Sequence, residues 1–250
     1  MIEIIDLHIS FEGKSVLSGV NLSINTGETL TVIGRSGEGK SVLLKNIIGL
    51  IRPDRGRIII DGQDITQFNN RQMLEFRRKF GMLFQGSALL DSMTVDENVG
   101  LGLREHTDYP ELKVRGIVRD KLRQVGLINI ETKKPAELSG GMKKRVGLAR
   151  AIAMEPEYIL YDEPTTGLDP IMADTINELI ISLKNTLNIT SIAVTHDMIS
   201  AYKISDKIAM LYGGKIIFSG TPEAIRASDN PIIQQFINGR SEGPIASNNY

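Results

Sequence analysis

Apolar positions along the chain follow two spacings, and the changes between them predict the order of strands and helices. IEIIDLHISF and VLSGVNLSI have the apolar pattern of strands, and TLTVIG reads as a buried strand that runs into a glycine-rich loop. The next segment, SVLLKNIIGLI, has the apolar spacing of a helix. The N-terminal part therefore predicts strand, glycine loop and helix in that order, beside a small antiparallel sheet that includes RIIIDGQDI.

The pattern becomes helical from about residue 71 to about residue 126, and strands alternate with helices again after Leu138. In this later part YILYDE and TSIAVTH read as strands, separated by the helix IMADTINELIISLKN. Strands that alternate with helices indicate a mostly parallel sheet covered on both faces. We therefore expect an α/β fold with a helical insertion, followed by a flexible tail, NGRSEGPIASNNY.

Charge and composition narrow the classes of function. The chain has 29 Lys and Arg against 30 Asp and Glu, so it lacks the basic excess of a dedicated nucleic-acid binder. It contains no Cys, and its longest apolar runs are far shorter than the roughly 20 residues that a membrane helix needs. We expect a cytosolic chain whose membrane role, if any, comes through a partner.

A phosphate-binding loop is the strongest motif. GRSGEGKS follows the strand TLTVI and precedes a predicted helix, which is the context that such a loop requires. The glycines let the backbone point amides at phosphate groups, Lys40 supplies a positive charge, and the Ser41 hydroxyl is a ligand for Mg²⁺. The residues expected to bind ATP here are Gly34, Arg35, Ser36, Gly37, Glu38, Gly39, Lys40, Ser41 and Val42.

Polar side chains follow two of the later strands. Asp162 and Glu163 end YILYDE, where Asp162 can reach Mg²⁺ beside the phosphate loop and Glu163 can polarise the attacking water. The alternative is that this pair caps the following helix. His196 follows the strand SIAVT, where its imidazole can hydrogen-bond the γ-phosphate, and an ordinary loop or core histidine is the alternative.

Two further residues are candidates for nucleotide contacts. Gln85 ends the apolar segment GMLF and enters the helical insertion, so its amide can ligate Mg²⁺ and move with the insertion. A surface glutamine in a turn is the alternative. Phe11 lies upstream of the glycine loop and can stack on adenine, whereas packing in the core is the alternative.

A second glycine-containing helix start lies in LSGGMKKRVGLARAI, Leu138 to Ile152. Backbone amides at a helix N-terminus form an anion site, although the chain already has a phosphate loop. Together with GRSGEGKS, Gln85, YILYDE, the GLD of Gly167 to Asp169, and His196, this motif resembles the ATP-binding cassette (ABC) ATPases over about residues 1 to 237. The combination is far more specific than a phosphate loop alone.

The resemblance implies a fold, a division of the chain and an activity. The fold would be a P-loop NTPase core with a mostly parallel sheet, an N-terminal antiparallel β subdomain and an inserted α-helical subdomain. Residues 1–85 and 151–237 would form the core, residues 86–150 the helical subdomain, and residues 238–250 a flexible C-terminal tail. The enzyme would hydrolyse ATP to ADP and phosphate, with ATP and Mg²⁺ as cofactors.

In ABC ATPases two cassettes face head to tail, and the LSGG signature of one closes over the ATP held by the phosphate loop of the other. The resemblance therefore implies a homodimer in which a neighbour's ATP is contacted by Ser139, Gly140, Gly141 and Met142. It assigns Asp169 to the D-loop. The Mg²⁺ ligands would be Ser41, Gln85 and Asp162, and the catalytic residues would be Glu163, His196 and Lys40.

A narrower resemblance, to the ATPases of Mla-type phospholipid transporters and related MCE-linked transporters, rests on GSALLDSMTVDENV, on Met142 and on FINGRSEGP. Many ABC ATPases have glutamine in place of Met142. The resemblance implies integral membrane permease subunits, small cytoplasmic and substrate-binding accessory subunits, no nucleic acid, and a peripheral position on the cytoplasmic face of the inner membrane. The alternative is a soluble ABC ATPase of iron–sulfur cluster assembly or nucleic-acid maintenance.

Overall fold

A computed structural model describes residues 1–245 of the chain. Within that range the strands are β1 (Ile2–Phe11), β2 (Lys14–Ile24), β3 (Thr29–Ile33), β4 (Arg55–Ile60), β5 (Gln63–Asp64), β6 (Phe80–Leu83), β7 (Tyr158–Asp162), β8 (Thr190–Thr195), β9 (Lys207–Tyr212) and β10 (Lys215–Gly220). The α-helices are α1 (Lys40–Ile47), α2 (Asn70–Arg77), α3 (Val95–His106), α4 (Glu111–Gln124), α5 (Gly140–Ile152), α6 (Pro170–Leu187), α7 (Met198–Ile204), α8 (Pro222–Arg226) and α9 (Pro231–Ile237). Among residues 1–245, no helix combines the length and the apolar character that a membrane crossing requires.

The strands form two sheets. One has the order β2-β1-β4-β5 with antiparallel pairing throughout, as predicted for the N-terminal β subdomain. The other has the order β10-β9-β3-β8-β7-β6. In it β3 pairs with β9 and β6 with β7 in parallel, while β10 is antiparallel to β9. This arrangement confirms the predicted α/β fold.

The chain divides into two compact units. The first unit, residues 1–67 with the chain from residue 194 onward, contains the antiparallel sheet. The second unit, residues 68–193, contains α3, α4 and α5. The segment predicted to be helical from about residue 71 to about residue 126 contains α2, α3 and α4, but it also contains the strand β6. The domain boundaries expected at residues 85 and 150 stay a prediction.

The strands differ in whether both faces or only one face is buried. All residues of β3, β7 and β8 are buried, as expected for strands whose two faces are both covered. In β1 only one face is buried, first at Ile2 and Ile4 and then at Leu7 and Ile9. The register shifts between Ile4 and Leu7, where Asp6 has a φ of 48°, and this irregularity keeps the apolar side chains on one face.

Helix α3 begins with a capping box, because the Thr94 hydroxyl accepts a hydrogen bond from the Glu97 amide and the Glu97 carboxylate accepts one from the Thr94 amide. Arg104 near its other end binds Asp96 of the same helix at 2.5 Å and Glu111 of α4 at 2.7 Å. The hydrogen bond from Arg104 lowers the pKa of Glu111 to about 2. These contacts join α3 to α4.

A buried amide holds the loop that leads into α3. The Asn98 side chain is 1% exposed, and its Oδ1 accepts from the Leu90 amide at 2.7 Å. Its Nδ2 donates to the carbonyl oxygens of Leu90, Met93 and Thr94. One side chain therefore satisfies four main-chain groups of the segment GSALLDSMTVDENV.

The segment after α9 returns to that helix. Gln235 is 6% exposed, its Nε2 donates to the carbonyl oxygens of Arg240 and Ile245, and its Oε1 accepts from the Ile245 amide at 2.7 Å. Ile245 is itself buried. The chain is thus tied to α9 as far as Ile245, whereas residues 246–250 of the predicted flexible tail lie outside the described residues.

Candidate active site

The loop between β3 and α1 has the backbone shape that phosphate binding requires. Gly37 and Gly39 have φ values of 84° and 97°, a region that other residues seldom adopt. At Gly34 an added Cβ would lie 2.5 Å from the carbonyl oxygen of Leu211, so only glycine fits there. The three glycines of GRSGEGKS are therefore explained by conformation and by close approach.

Lys40 is the first residue of α1 and is 6% exposed. Its Nζ donates to the carbonyl oxygens of Gly34 at 2.8 Å and Arg35 at 3.0 Å, which holds the ammonium group within the curve of the loop. No side chain caps the N-terminus of this helix, where Gly39 is the N-cap. A buried cation beside an uncapped helix start fits an anionic phosphate group.

The other predicted loop residues differ in exposure. Ser36 and Gly37 are exposed, and partly buried positions are Arg35, Glu38, Ser41 and Val42. The Glu38 carboxylate accepts a hydrogen bond from the Gly213 amide at 2.8 Å, in the turn between β9 and β10. The Glu38 side chain therefore fixes the loop, and a contact with ATP would come from its backbone.

Phe11 and His196 lie in the same unit as the phosphate loop. Phe11 ends β1 and is 44% exposed, so the alternative that it packs in the core is wrong and stacking on adenine stays a prediction. His196 is exposed directly after β8. The next residue, Asp197, caps α7 by accepting from the Ile199 amide at 3.0 Å.

Asp162 and Glu163 lie at the carboxyl end of β7, and each is 7% exposed. Glu163 has a φ of 49°, which is rare for a non-glycine residue and is found at functional sites where the surroundings hold it. Its carboxylate accepts from the Thr166 hydroxyl at 3.1 Å. The alternative that this pair caps the following helix is wrong, because α6 is capped by Asp169.

Asp169, the predicted D-loop residue, is exposed, and its carboxylate accepts from the amides of Ile171 and Met172 at 3.0 Å each. Gln85 is also exposed and lies two residues after the end of β6. The Gln85 side chain is thus open to solvent. Its main-chain carbonyl oxygen accepts a hydrogen bond from Lys144 of α5 at 2.7 Å.

Lys144 is a residue that sequence analysis missed. It is 4% exposed, and its Nζ also donates to the carbonyl oxygen of Glu163 at 3.1 Å. Burial lowers the pKa of Lys144, and the charges of Asp162 and Glu163 partly oppose that shift. The available signal was its spacing, since it lies three residues before Gly147 on the buried face of α5.

Arg150, further along α5, was missed as well. Its guanidinium donates to the carbonyl oxygens of Ser87 and Ala88 at 2.6 Å each. Both loop residues have positive φ, at 61° and 46°. At Gly147 an added Cβ would lie 2.8 Å from Leu83 Cδ1 of β6 and 3.4 Å from Ser87 Cβ of the loop, so the glycine lets both approach the helix. The signature helix therefore holds the segment that follows Gln85.

The signature residues form the start of α5. Ser139 is the N-cap and its Oγ accepts from the Met142 amide at 3.3 Å. Ser139 and Gly140 are exposed, Met142 is partly buried and Gly141 is buried. An added Cβ at Gly141 would overlap Cε of Met172, so a larger residue there would require the Met172 side chain to move.

Gly140 differs, because an added Cβ there would lie 3.7 Å from Leu168 Cδ2, an ordinary contact. Packing inside the chain thus gives no reason for a glycine at this exposed position. The signature residues, Gln85, Asp162, Glu163 and Asp169 all belong to residues 68–193, whereas the phosphate loop and His196 belong to the other unit.

A family model described as ABC transporter matches residues 17–166. The chain belongs to the ABC transporter family. A relative from Haemophilus influenzae, the intermembrane phospholipid transport system ATP-binding protein MlaF, is 41% identical over 245 residues that cover 98% of this chain and 93% of that protein. The probable ribonucleotide transport ATP-binding protein mkl of Mycobacterium tuberculosis is 44% identical over 244 residues, covering 98% and 68%.

The fold agrees with solved cassettes. A dimeric ATP-binding cassette in a post-hydrolysis state, bound to ADP and Pi, matches with a TM-score of 0.82 and 30% identity over 89% of this chain and 99% of that one. The protein is therefore an ABC ATPase that binds ATP and hydrolyses it to ADP and phosphate. The family and the activity expected from the sequence are both confirmed.

Proposed function

We propose that this protein is the ATP-hydrolysing subunit of a transporter that moves phospholipid through partner membrane subunits. The observation that carries the proposal is the similarity to MlaF, which extends over nearly the whole of both chains. The partners would be integral permease subunits, with small cytoplasmic and substrate-binding accessory subunits. The protein would then lie peripherally on the cytoplasmic face of the inner membrane, in a complex that does not act on nucleic acid.

An apolar groove in residues 68–193 supports a membrane partner. It has a volume of about 750 Å³, and its larger apolar side chains lie on α2, β6 and α3, directly after β6, and two residues after α5: Leu74, Phe80, Met82, Phe84, Leu101 and Met154. Leu74 is 62% exposed although it is apolar. Such a groove accommodates the apolar face of an amphipathic helix, and we expect a helix of the permease there.

The residues of the phosphate loop would bind the triphosphate of ATP. Lys40 places its charge on the β- and γ-phosphates, and the amides at the start of α1 donate to their oxygens. Phe11 would stack on the adenine, and His196 would donate a hydrogen bond to the γ-phosphate. The carboxylate of Glu163 would accept a proton from the attacking water.

Mg²⁺ would be held by Ser41, Gln85 and Asp162, whose hydroxyl, amide and carboxylate oxygens are the donors that this hard cation prefers. When bound, it neutralises charge that develops on the phosphate oxygens. In a homodimer, the exposed helix start at Ser139 and Gly140 would contact the γ-phosphate of ATP bound to the other copy. Gly141 and Met142 would complete that contact, and Asp169 would lie in the D-loop.

A second candidate cargo is a ribonucleotide, because the relative that is 44% identical has ribonucleotide transport in its name. We favour phospholipid for two reasons. The chain spans 93% of MlaF but 68% of the mycobacterial relative, and the segment GSALLDSMTVDENV resembles the Mla-type ATPases. The relatives do not favour iron–sulfur cluster assembly or nucleic-acid maintenance.

The test is a tagged purification in mild detergent, followed by identification of bound proteins and lipids. We expect an integral membrane protein and phospholipid, and faster ATP hydrolysis by the complex in phospholipid vesicles than by the isolated chain. The matched control is the same complex with Glu163→Gln, which should bind ATP without steady-state hydrolysis. Transport of a ribonucleotide without phospholipid would contradict the phospholipid proposal, and recovery with a cluster-assembly scaffold and no membrane protein would contradict the transporter proposal.

A further inference from the structure

One buried ammonium group connects the segment at Gln85 to the end of β7. Lys144 Nζ donates to the carbonyl oxygen of Gln85 at 2.7 Å and to the carbonyl oxygen of Glu163 at 3.1 Å. The two acceptors lie 59 residues before and 19 residues after the lysine. Because one nitrogen contacts both, the two carbonyl oxygens are within about 6 Å of each other.

The two acceptors belong to the main chain, so this contact acts on backbone position. The Gln85 side chain is exposed and its carbonyl oxygen is held by the lysine. At Glu163 the carbonyl oxygen accepts from Lys144 and also from the Thr166 amide at 3.3 Å, while the carboxylate accepts from the Thr166 hydroxyl at 3.1 Å. The lysine therefore constrains both residues without occupying their functional groups.

Glu163 needs such a constraint. Its φ of 49° costs conformational energy that surrounding contacts must offset. A hydrogen bond from a charged donor to its carbonyl oxygen is among the stronger contacts available in a protein interior. Ser87 and Ala88, which follow Gln85, are held in positive φ by Arg150 of the same helix. Helix α5 thus contacts the main chain of both segments: Lys144 binds the carbonyl oxygens of Gln85 and Glu163, and Arg150 binds those of Ser87 and Ala88.

We propose that Lys144 is a positioning residue for ATP hydrolysis. By holding the main chain at Gln85 and at Glu163, it fixes the separation between a ligand of Mg²⁺ and the carboxylate that accepts the proton of water. A displacement of the segment at Gln85, where the helical insertion begins, then reaches Glu163 through a single side chain. The inference rests on the roles proposed above for Gln85 and Glu163.

The first test compares Lys144→Met with wild-type enzyme at saturating ATP. We expect kcat to fall about tenfold or more, the loss that follows when one charge-assisted contact to the catalytic backbone is removed. The KM for ATP should change by less than about threefold, since the phosphate loop keeps its own lysine, Lys40. A fall in kcat of less than about threefold would overturn the inference.

The matched control is Lys121→Met. Lys121 is also a buried lysine of residues 68–193, at 5% exposed, and its Nζ pairs with Glu155 at 3.1 Å. This variant should keep kcat within about twofold of the wild type. An equal fall in kcat for both variants would reduce Lys144 to a general structural role and would overturn the inference.

If Lys144→Met does not fold, Lys144→Gln replaces it, because the glutamine amide can donate hydrogen bonds but the side chain is too short to reach both carbonyl oxygens. We expect Lys144→Arg, which keeps several N–H donors, to recover more kcat than either variant.

Hydrogen exchange tests the connection independently of the catalytic roles. The Ser87 amide donates to the Phe84 carbonyl oxygen at 2.8 Å, and the Thr166 amide donates to that of Glu163. In Lys144→Met, peptides containing these two amides should exchange at least about threefold faster, whereas Lys121→Met should change neither. Unchanged exchange overturns the inference even if hydrolysis falls. If Glu163→Gln still hydrolyses ATP, the role proposed for Glu163 fails, and faster exchange in Lys144→Met would still support the connection.

Discussion

Substitution of Gly140 should separate the contact of the signature with ATP from its role as a helix start. Gly140 is exposed and is the first residue of α5, and an added Cβ would make only an ordinary contact of 3.7 Å with Leu168. An aspartate there adds a negative charge to the first turn of the helix, which stabilises it by about 0.3–1 kcal/mol. We therefore expect Gly140→Asp to change the free energy of unfolding by less than about 1 kcal/mol, measured by urea denaturation.

The same carboxylate should prevent closure over ATP, because it would face the phosphates of the nucleotide on the other copy. In a Glu163→Gln background, which we expect to retain ATP, Gly140→Asp should form no ATP-dependent dimer in size-exclusion chromatography. The matched control is Gly116→Asp, which puts the same side chain at a helical glycine of α4 with no atom within 4 Å of its added Cβ. The control protein should dimerise as the parent does.

Mixed dimers determine whether the signature acts on the other copy. One chain carries Lys40→Ala and the other Gly140→Asp, with both in the Glu163→Gln background and purified through two different tags. In a head-to-tail dimer both lesions fall in one site, so the mixed dimer should occlude about one ATP, because ligand binds only where both helix N-termini are intact. Each variant alone should occlude almost none. Occlusion by the mixture no greater than by the separate variants would refute this reasoning.

Three further predictions concern stability. Asn98→Ala should lower the free energy of unfolding by about 2–4 kcal/mol in urea, because it removes the four hydrogen bonds of a buried side chain. The exposed helical control Asn185→Ala should change it by less than about 0.5 kcal/mol, and equal effects would contradict the argument. The hydrogen bond from Arg104 lowers the pKa of Glu111 from 4.5 to about 2, so its stabilisation is present above pH 4.5 and is lost as pH falls towards 2. The difference in Tm between wild type and Glu111→Gln should shrink over that interval, and a constant difference would contradict the assignment. At Gly81 an added Cβ would overlap a carbonyl oxygen of α5, so Gly81→Ala should destabilise the protein by about 1–3 kcal/mol, whereas an unchanged Tm in thermal unfolding would count against that packing.

Features that depend on neighbouring residues were predictable from the sequence. The phosphate loop requires positive φ at Gly37 and Gly39 followed by a lysine at a helix start, and these residues are adjacent in the chain. The alternation of strands with helices predicted a sheet covered on both faces, and all residues of β3, β7 and β8 are buried. The positions of Glu163 and Gln85 in the sequence suggested their roles but left other interpretations open, and the family resemblance implied the same roles.

Contacts between distant segments were decided by the tertiary structure alone. The strand order β10-β9-β3-β8-β7-β6 is not the order of the chain, and it follows from packing that no local pattern specifies. The Glu38 carboxylate binds a main-chain amide 175 residues away, and Lys144 binds the carbonyl oxygens of Gln85 and Glu163. Every residue has the same main-chain carbonyl and every residue except proline the same amide, so the sequence carries no mark of which ones a buried side chain will meet. Only the fold brings those groups within hydrogen-bonding distance.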